Sequence, residues 1–151
     1  MSSLSKEQER YVEDFGLFFE PYGSRIMGRV LGVLFISDPP ERSAEELINL
    51  LKSSQGSISQ ATRALERLGW IQRLTRPGDR RAYFRVRPGA WQETARQSIL
   101  GIARFREMAE RALDLQDSKD PEARRALEKM RDFYVYWEKE MIALLERWNG
   151  G

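Results

Sequence analysis

Apolar residues recur along this chain at two different spacings, and the change from one to the other marks out its parts. Over residues 5–20, Leu4, Tyr11, Phe15, Phe18 and Phe19 fall near one helical face, and Ser5 with Gln8 forms a capping box. Pro21-Tyr22-Gly23 ends that helix. A second helix over 24–36 is apolar on one side through Ile26, Met27, Val30, Leu31 and Leu34. Its Gly28 and Gly32, four residues apart, allow close helix packing. After the loop Asp38-Pro39-Pro40, Ser43 and Glu46 make another capping box for a helix over 44–52, with Leu47, Leu50 and Leu51 facing inward. Ser53-Ser54-Gln55-Gly56 reads as a turn. The helix that follows, 57–68, has Ser57 and Gln60 as its capping pair and Ile58, Ala61, Leu65 and Leu68 as its inward stripe.

Past Gly69 the period shortens to two. Residues 70–76 and 81–87 read as strands separated by Pro77-Gly78-Asp79-Arg80, a turn signal. In the second strand Arg81, Tyr83, Arg85 and Arg87 share a basic face, and Ala82, Phe84 and Val86 share the face that seats on the helices. The first strand does not alternate cleanly, which leaves its buried face open. Helical spacing then returns with Trp91, Ala95, Ile99, Ile102, Phe105, Ala109 and Leu113. Asp120 caps a last helix with Pro121 at its first position. Leu127, Met130, Phe133, Tyr134, Trp137, Met141, Leu144, Leu145 and Trp148 give that helix a wide apolar face.

Two short helices joined by a tight turn form a helix-turn-helix, and a basic hairpin directly after it makes a winged helix. The expected fold is mainly α with a small β-hairpin (α+β). It is divided into an N-terminal helix (1–23), a winged helix-turn-helix (24–88) and C-terminal helices (89–151). The first and last parts carry more apolar surface than one small winged helix can cover, so they are read as the interface of a homodimer. Two-fold symmetry suits such a fold, because paired helices read half-sites about one duplex turn apart.

Charge sharpens this picture. Residues 57–87 hold eight arginines against Glu66 and Asp79, a net +6, whereas the whole chain is +2 and the remainder therefore −4. The sequence pI is about 9.0. Positive charge focused on one helix and its hairpin is the footprint of a protein that sits on nucleic-acid phosphates. The outward helix face offers Ser59, Gln60, Arg63 and Arg67, with Thr62 and Glu66 at its margins. Gln can bond an adenine edge with two hydrogen bonds, and Arg a guanine edge or a phosphate. Ser57 and Ser59, at the positive helix end, can hold a backbone phosphate. Arg76 belongs to the same basic surface, and Arg80 or Arg81 at the hairpin tip can enter a minor groove. The same face could be an ordinary solvated one, with the winged helix docking protein instead of DNA. Binding that weakens steeply with salt separates the two readings.

Composition excludes other chemistry. With no Cys and no His, disulfides, Cys/His zinc sites and His-based catalysis are ruled out. No phosphate loop, nucleophile elbow or metal box is seen, so no enzyme, cofactor or metal is expected. Mean hydropathy is −0.59 and 32% of residues are charged, which suits long solvent-lined helices. The N-terminus has no apolar signal core, and the longest apolar run, 30–36, is far short of the roughly 20 residues of a membrane span. A cytoplasmic protein without a membrane partner is expected.

The order of motifs resembles the MarR superfamily of bacterial regulators, and within it the GbsR-like branch. The resemblance rests on Leu65-Glu66-Arg67-Leu68-Gly69-Trp70-Ile71, on Gly78-Asp79-Arg80-Arg81, on Tyr83-Phe84 and on Trp91. It is tight over residues 43–93 and looser at both ends. It implies a dimeric, sequence-specific regulator of double-stranded operator DNA, usually a repressor. The recognition helix would enter the major groove and the wing the minor groove. It further implies that Asp79 braces Arg81, that Arg81 is the minor-groove residue, and that a small-molecule effector changes the spacing of the recognition helices. Some GbsR-like proteins respond to choline or related osmolytes. A quaternary ammonium needs an aromatic cage, and Phe15, Tyr22, Trp91, Phe105, Tyr134 and Trp137 are the candidate rings, with Tyr11 and Trp148 beside them in sequence. Aromatics at helical spacing are more often packing, and the same apolar surface would suit a drug-like or lipid-like ligand equally.

Overall fold

The structure, a computed structural model, describes residues 3–148 and falls into two compact units, Met1–Ala90 and Trp91–Gly151. In the first unit, α1 (Lys6–Phe19) starts at the capping box read from sequence. Ser5 Oγ accepts from the Gln8 amide at 3.2 Å, and Gln8 Oε1 accepts from the Ser5 amide at 3.0 Å. Its contact stripe is Val12, Gly16 and Phe19, with Leu4 and Phe15 packed alongside. Tyr11 and Phe18, expected on that stripe, are exposed. The cause lies in the partner helix α2 (Arg25–Ile36), which crosses α1 at its glycines. A Cβ on Gly28 would lie 2.6 Å from Phe19 Cβ and 2.8 Å from the Phe15 carbonyl oxygen. Such an approach centres the contact on Gly16 and turns Phe18, one residue from Phe19 and about 100° round the helix, towards solvent.

Helix α2 is the centre of the core, with Met27, Val30, Leu31, Val33 and Leu34 all buried. Around it pack α3 (Ala44–Leu51), α4 (Gln55–Arg67) and a three-stranded sheet. The strands are β1 (Arg42–Ser43), β2 (Ile71–Arg76) and β3 (Asp79–Val86), in the order β1-β3-β2 and antiparallel throughout. The two-residue β1 was not legible in the sequence. Ser43 there pairs with Tyr83 and also caps α3, whose capping box with Glu46 is complete. One buried serine thus fixes the sheet to the helix-turn-helix. In β2, whose alternation leaves the buried face open, only Ile71 is buried, opposite Val86; Arg73, two residues on and opposite the buried Phe84, is exposed with its guanidinium over that ring. β3 begins at Asp79, two residues earlier than expected, because Pro77 and Gly78 alone make the turn. Gly78 there takes φ 76°, a left-handed conformation that glycine adopts without strain.

The second unit is a hairpin of two long helices, α5 (Ala90–Leu115) and α6 (Pro121–Arg147), joined by residues 116–120. Phe105 stacks on Tyr134 with centroids 4.5 Å apart, Arg106 pairs with Glu138, and Arg124 donates to the Leu113 carbonyl. These pairings run in opposite senses along the two helices, so the helices are antiparallel. As read from sequence, Asp120 caps α6, its Oδ1 accepting from the Glu122 amide at 2.9 Å. Of the apolar stripe on α5, Ile102, Ala109 and Leu113 are buried, whereas α6 has no buried residue among those described. Phe133, Tyr136, Leu144 and Trp148 stand more than half or half exposed, an apolar face wider than a two-helix hairpin can cover.

Candidate nucleic-acid interface

The first component is the turn between α3 and α4. Lys52 ends α3 in a left-handed conformation (φ 50°), and Ser54 caps α4 by accepting from the Ser57 amide at 3.1 Å. From sequence alone this helix is expected to begin at Ser57, with Gln60 as its capping partner. The cap is instead Ser54, one turn earlier. Gly56 does not prevent this, because the first turn of a helix has no intrahelical amide bonds to lose. Ser57 is therefore a first-turn residue whose amide is already used and whose hydroxyl accepts from Ser54 Oγ.

Helix α4 presents Gln60, Arg63 and Arg67 exposed and Ser59 half-buried beside them. Arg63 lies back along the helix, with Nη2 donating to Ser59 Oγ at 2.8 Å and Nε to the Ser59 carbonyl at 3.2 Å. Two expectations for this helix need correction. Thr62, read as a margin residue able to touch DNA, is buried. Its hydroxyl donates to the carbonyls of Ile58 (2.9 Å) and Ser59 (3.2 Å). Thr62 stands four residues after Ile58 and three before Leu65, which puts it on the inward stripe. Leu68, expected inside, is exposed: its backbone still follows the helix, but it is the C-cap, one turn beyond Leu65, the last α4 side chain that the core covers.

The wing is organised by Asp79. Its Oδ1 accepts from the Arg81 amide (2.9 Å) and Arg81 Nε (3.0 Å). Its Oδ2 accepts from Arg81 Nη2 (2.9 Å) and the Tyr83 hydroxyl (2.7 Å). Donation from Arg81, then from the Arg81 amide and Tyr83, holds the Asp79 carboxyl well below the ordinary carboxylate range. The same pairing raises Arg81, which keeps its charge while its side chain remains 58% exposed. Arg80 is exposed next to it. The basic face of β3 is not uniformly open, however. Tyr83 is buried, with the Arg76 guanidinium 3.7 Å from its ring centre. Arg76 Nη2 also donates to Glu41 Oε2 at 2.8 Å, and Arg85 Nη1 lies 3.9 Å from Glu41 Oε1. Sequence reasoning missed Glu41 and Ser54. Ser54 carried a signal, a serine three residues before another possible first-turn residue. Glu41 carried none, since it is 35 residues from Arg76 along the chain.

The aromatic candidates for an effector cage do not meet as one group within either unit. Phe15 and Tyr22 belong to the first unit, where Phe15 packs against Tyr11, Phe18, Phe19 and Phe35, and Tyr22 against Phe18 and Phe19. In the second unit Phe105 stacks on Tyr134, and Trp137 packs against Tyr134 at a tilt of 41°. Trp91 lines a separate apolar cleft of about 370 Å³ with Leu144, Leu145 and Trp148. Among the described residues no group of acidic side chains could hold a metal ion, and no helix is long and apolar enough to cross a membrane.

Known proteins share this layout. A family model described as "MarR family" matches residues 33–83, and one described as "MmpR5-like MarR family transcriptional regulator" matches residues 89–150. The HTH-type transcriptional regulator MmpR5 of Mycobacterium tuberculosis (strain ATCC 25618 / H37Rv) is 38% identical over 140 residues, which are 92% of this chain and 85% of that protein. A crystal structure described as that of a transcriptional regulator superposes with a TM-score of 0.78 at 36% identity, covering 96% of this chain and 99% of that one.

Proposed function

Since this chain belongs to the MarR family of transcriptional regulators, we propose that it binds double-stranded operator DNA as a homodimer and represses transcription under the control of a small-molecule effector. Gln60 and Arg63 read base edges from α4 in the major groove, while Ser57, Ser59 and Arg67 position the helix on phosphates. Arg81, with Arg80 beside it, enters the minor groove. The module over 24–88 does the reading, and the helices outside it hold the two copies together. The observation that carries this reading is the wing. Asp79 fixes an exposed arginine through three of its donors without hiding it, which suits a cation that must enter a narrow groove at low entropic cost. Within the family, the Leu65–Ile71 step and the Gly78–Arg81 wing support a GbsR-like placement, beside the MmpR5-like description matched over residues 89–150. We read the chain as a cytoplasmic, non-catalytic regulator.

Selecting bound duplexes from a random pool, followed by mobility-shift titration, tests this. Arg63→Ala and Gln60→Ala are expected to change the preferred sequence, each costing about 1–3 kcal/mol at the base it reads. Arg81→Ala is expected to weaken binding with less change in preference. Titrations untouched by both kinds of substitution would show that the reading face is misassigned.

A further inference from the structure

The geometry points to Glu41 as a positioning residue that holds Arg76 on the Tyr83 ring and away from the duplex, so that the wing meets DNA through Arg80 and Arg81 rather than Arg76. This rests on the DNA-binding reading above and names how its wing is set. Glu41 lies outside the hairpin, directly before β1, and its bond to Arg76 spans 35 residues. From it runs an unbroken series of contacts: Glu41 to Arg76 at 2.8 Å, Arg76 to the Tyr83 ring at 3.7 Å, Tyr83 to Asp79 at 2.7 Å, and Asp79 to Arg81 at 2.9 Å. The two arginines at the ends of this series are held differently. The partner of Arg81 is two residues away in the same hairpin and moves with it. The partner of Arg76 belongs to the body of the unit and ties the hairpin down. Both arginines meet a carboxylate and the Tyr83 ring, but Arg76 lies closer to the ring, 3.7 Å against 5.5 Å for Arg81, and is less exposed, 44% against 58%, so a phosphate contact through its Nη2 would mean leaving Glu41. The Tyr83 hydroxyl is raised above its ordinary value chiefly by its bond to Asp79, so it remains a proton donor across the neutral range.

Salt dependence separates a tether from a phosphate contact, because each phosphate contact contributes about −0.9 to the slope of log K against log salt. The chain and its variants are titrated with the selected duplex and with an unrelated duplex over a salt series. Arg76→Gln should leave the wild-type slope unchanged, whereas Arg81→Gln should flatten it by about 0.9 per protomer. Glu41→Gln, which frees Arg76, should steepen the slope by about the same amount on both duplexes and so narrow the ratio between them. The double variant Glu41→Gln/Arg76→Gln should lose the steepening that Arg76 supplies, and adding Arg85→Gln, at the other cation facing Glu41, should change the slope no further by that route. Without DNA, the Arg76 Nε–H proton resonance should be displaced upfield by the Tyr83 ring in the wild type and relax in Glu41→Gln. Arg76→Gln flattening the slope as Arg81→Gln does overturns this inference and leaves the DNA reading standing. An Arg76 resonance indifferent to Glu41→Gln overturns it as well. A wild-type chain that selects and binds no duplex overturns both.

Discussion

Replacing Gly28 with alanine tests whether the α1–α2 crossing is set by the absence of a side chain. The added Cβ would sit 2.6 Å from Phe19 Cβ, 2.8 Å from the Phe15 carbonyl oxygen and 2.9 Å from Gly16 Cα. Two of these three neighbours are backbone atoms, so no rotamer change relieves the contact. Helix α1 must retreat by roughly 1 Å to restore ordinary carbon contacts of about 3.5–4 Å. Overpacking of this kind costs about 1–3 kcal/mol, whereas stiffening the unfolded chain returns only about 0.4–1 kcal/mol. The loss prevails, by about 1–2 kcal/mol. At about 2–4 °C per kcal/mol for a chain of this size, Tm should fall by roughly 2–8 °C. Gly32, one turn along the same helix, is the internal control. Its added Cβ would meet Phe15 Cβ and Val12 Cα at 3.4 Å, which is ordinary contact. Gly32→Ala should therefore be neutral or stabilising, by up to about 1 kcal/mol. Both variants are melted by circular dichroism at one fixed protein concentration, because melting of an associating protein depends on concentration. A Gly28→Ala melt at or above wild type, or a larger loss for Gly32→Ala than for Gly28→Ala, would refute the reasoning.

The cap of α4 can be located by a pair of substitutions: Ser54→Ala should cost about 1 kcal/mol of stability in urea unfolding, and Ser57→Ala less than about 0.5 kcal/mol. The reverse order would restore the start at Ser57. For the wing, Asp79 is more readily deprotonated folded than unfolded, so its brace contributes fully above the ordinary aspartate value of roughly 3.9 and fades only as pH falls through the lower folded value. The Arg81 Nε–H resonance, followed from neutral pH into acid, should hold its hydrogen-bonded position past about pH 4, and a transition centred there would contradict the brace. Ending the chain before Pro121 removes α6 and its exposed aromatic face; in sedimentation at one concentration the full chain is expected to run as a dimer and the shortened protein as a monomer.

Local signals carried most of the architecture. Ser5, Ser24, Ser43 and Asp120 start their helices because capping depends only on residues a few positions away. Pro77-Gly78 makes its turn for the same reason, and the arginines from 63 to 87 announce an anionic partner through charge alone. A start at Ser57 does not hold, because several nearby serines could cap and it is the Ser54 side chain that accepts from the Ser57 amide.

What the chain alone determined, then, is everything set within about one helical turn or one hairpin: where elements begin, which face of α4 is polar, and where the positive charge gathers. Tertiary structure decided which rings of α1 are buried, since that follows from how closely Gly28 lets α2 approach. It also decided that Arg76 faces Glu41, that Tyr83 is covered on a face that reads as basic, and that two residues before α3 complete the sheet. The Glu41–Arg76 bond and the pairing of β1 with β3 join residues tens of positions apart, and the α1–α2 contact joins two separate helices. Their encounter depends on the relative placement of whole elements, and no spacing along the sequence encodes that.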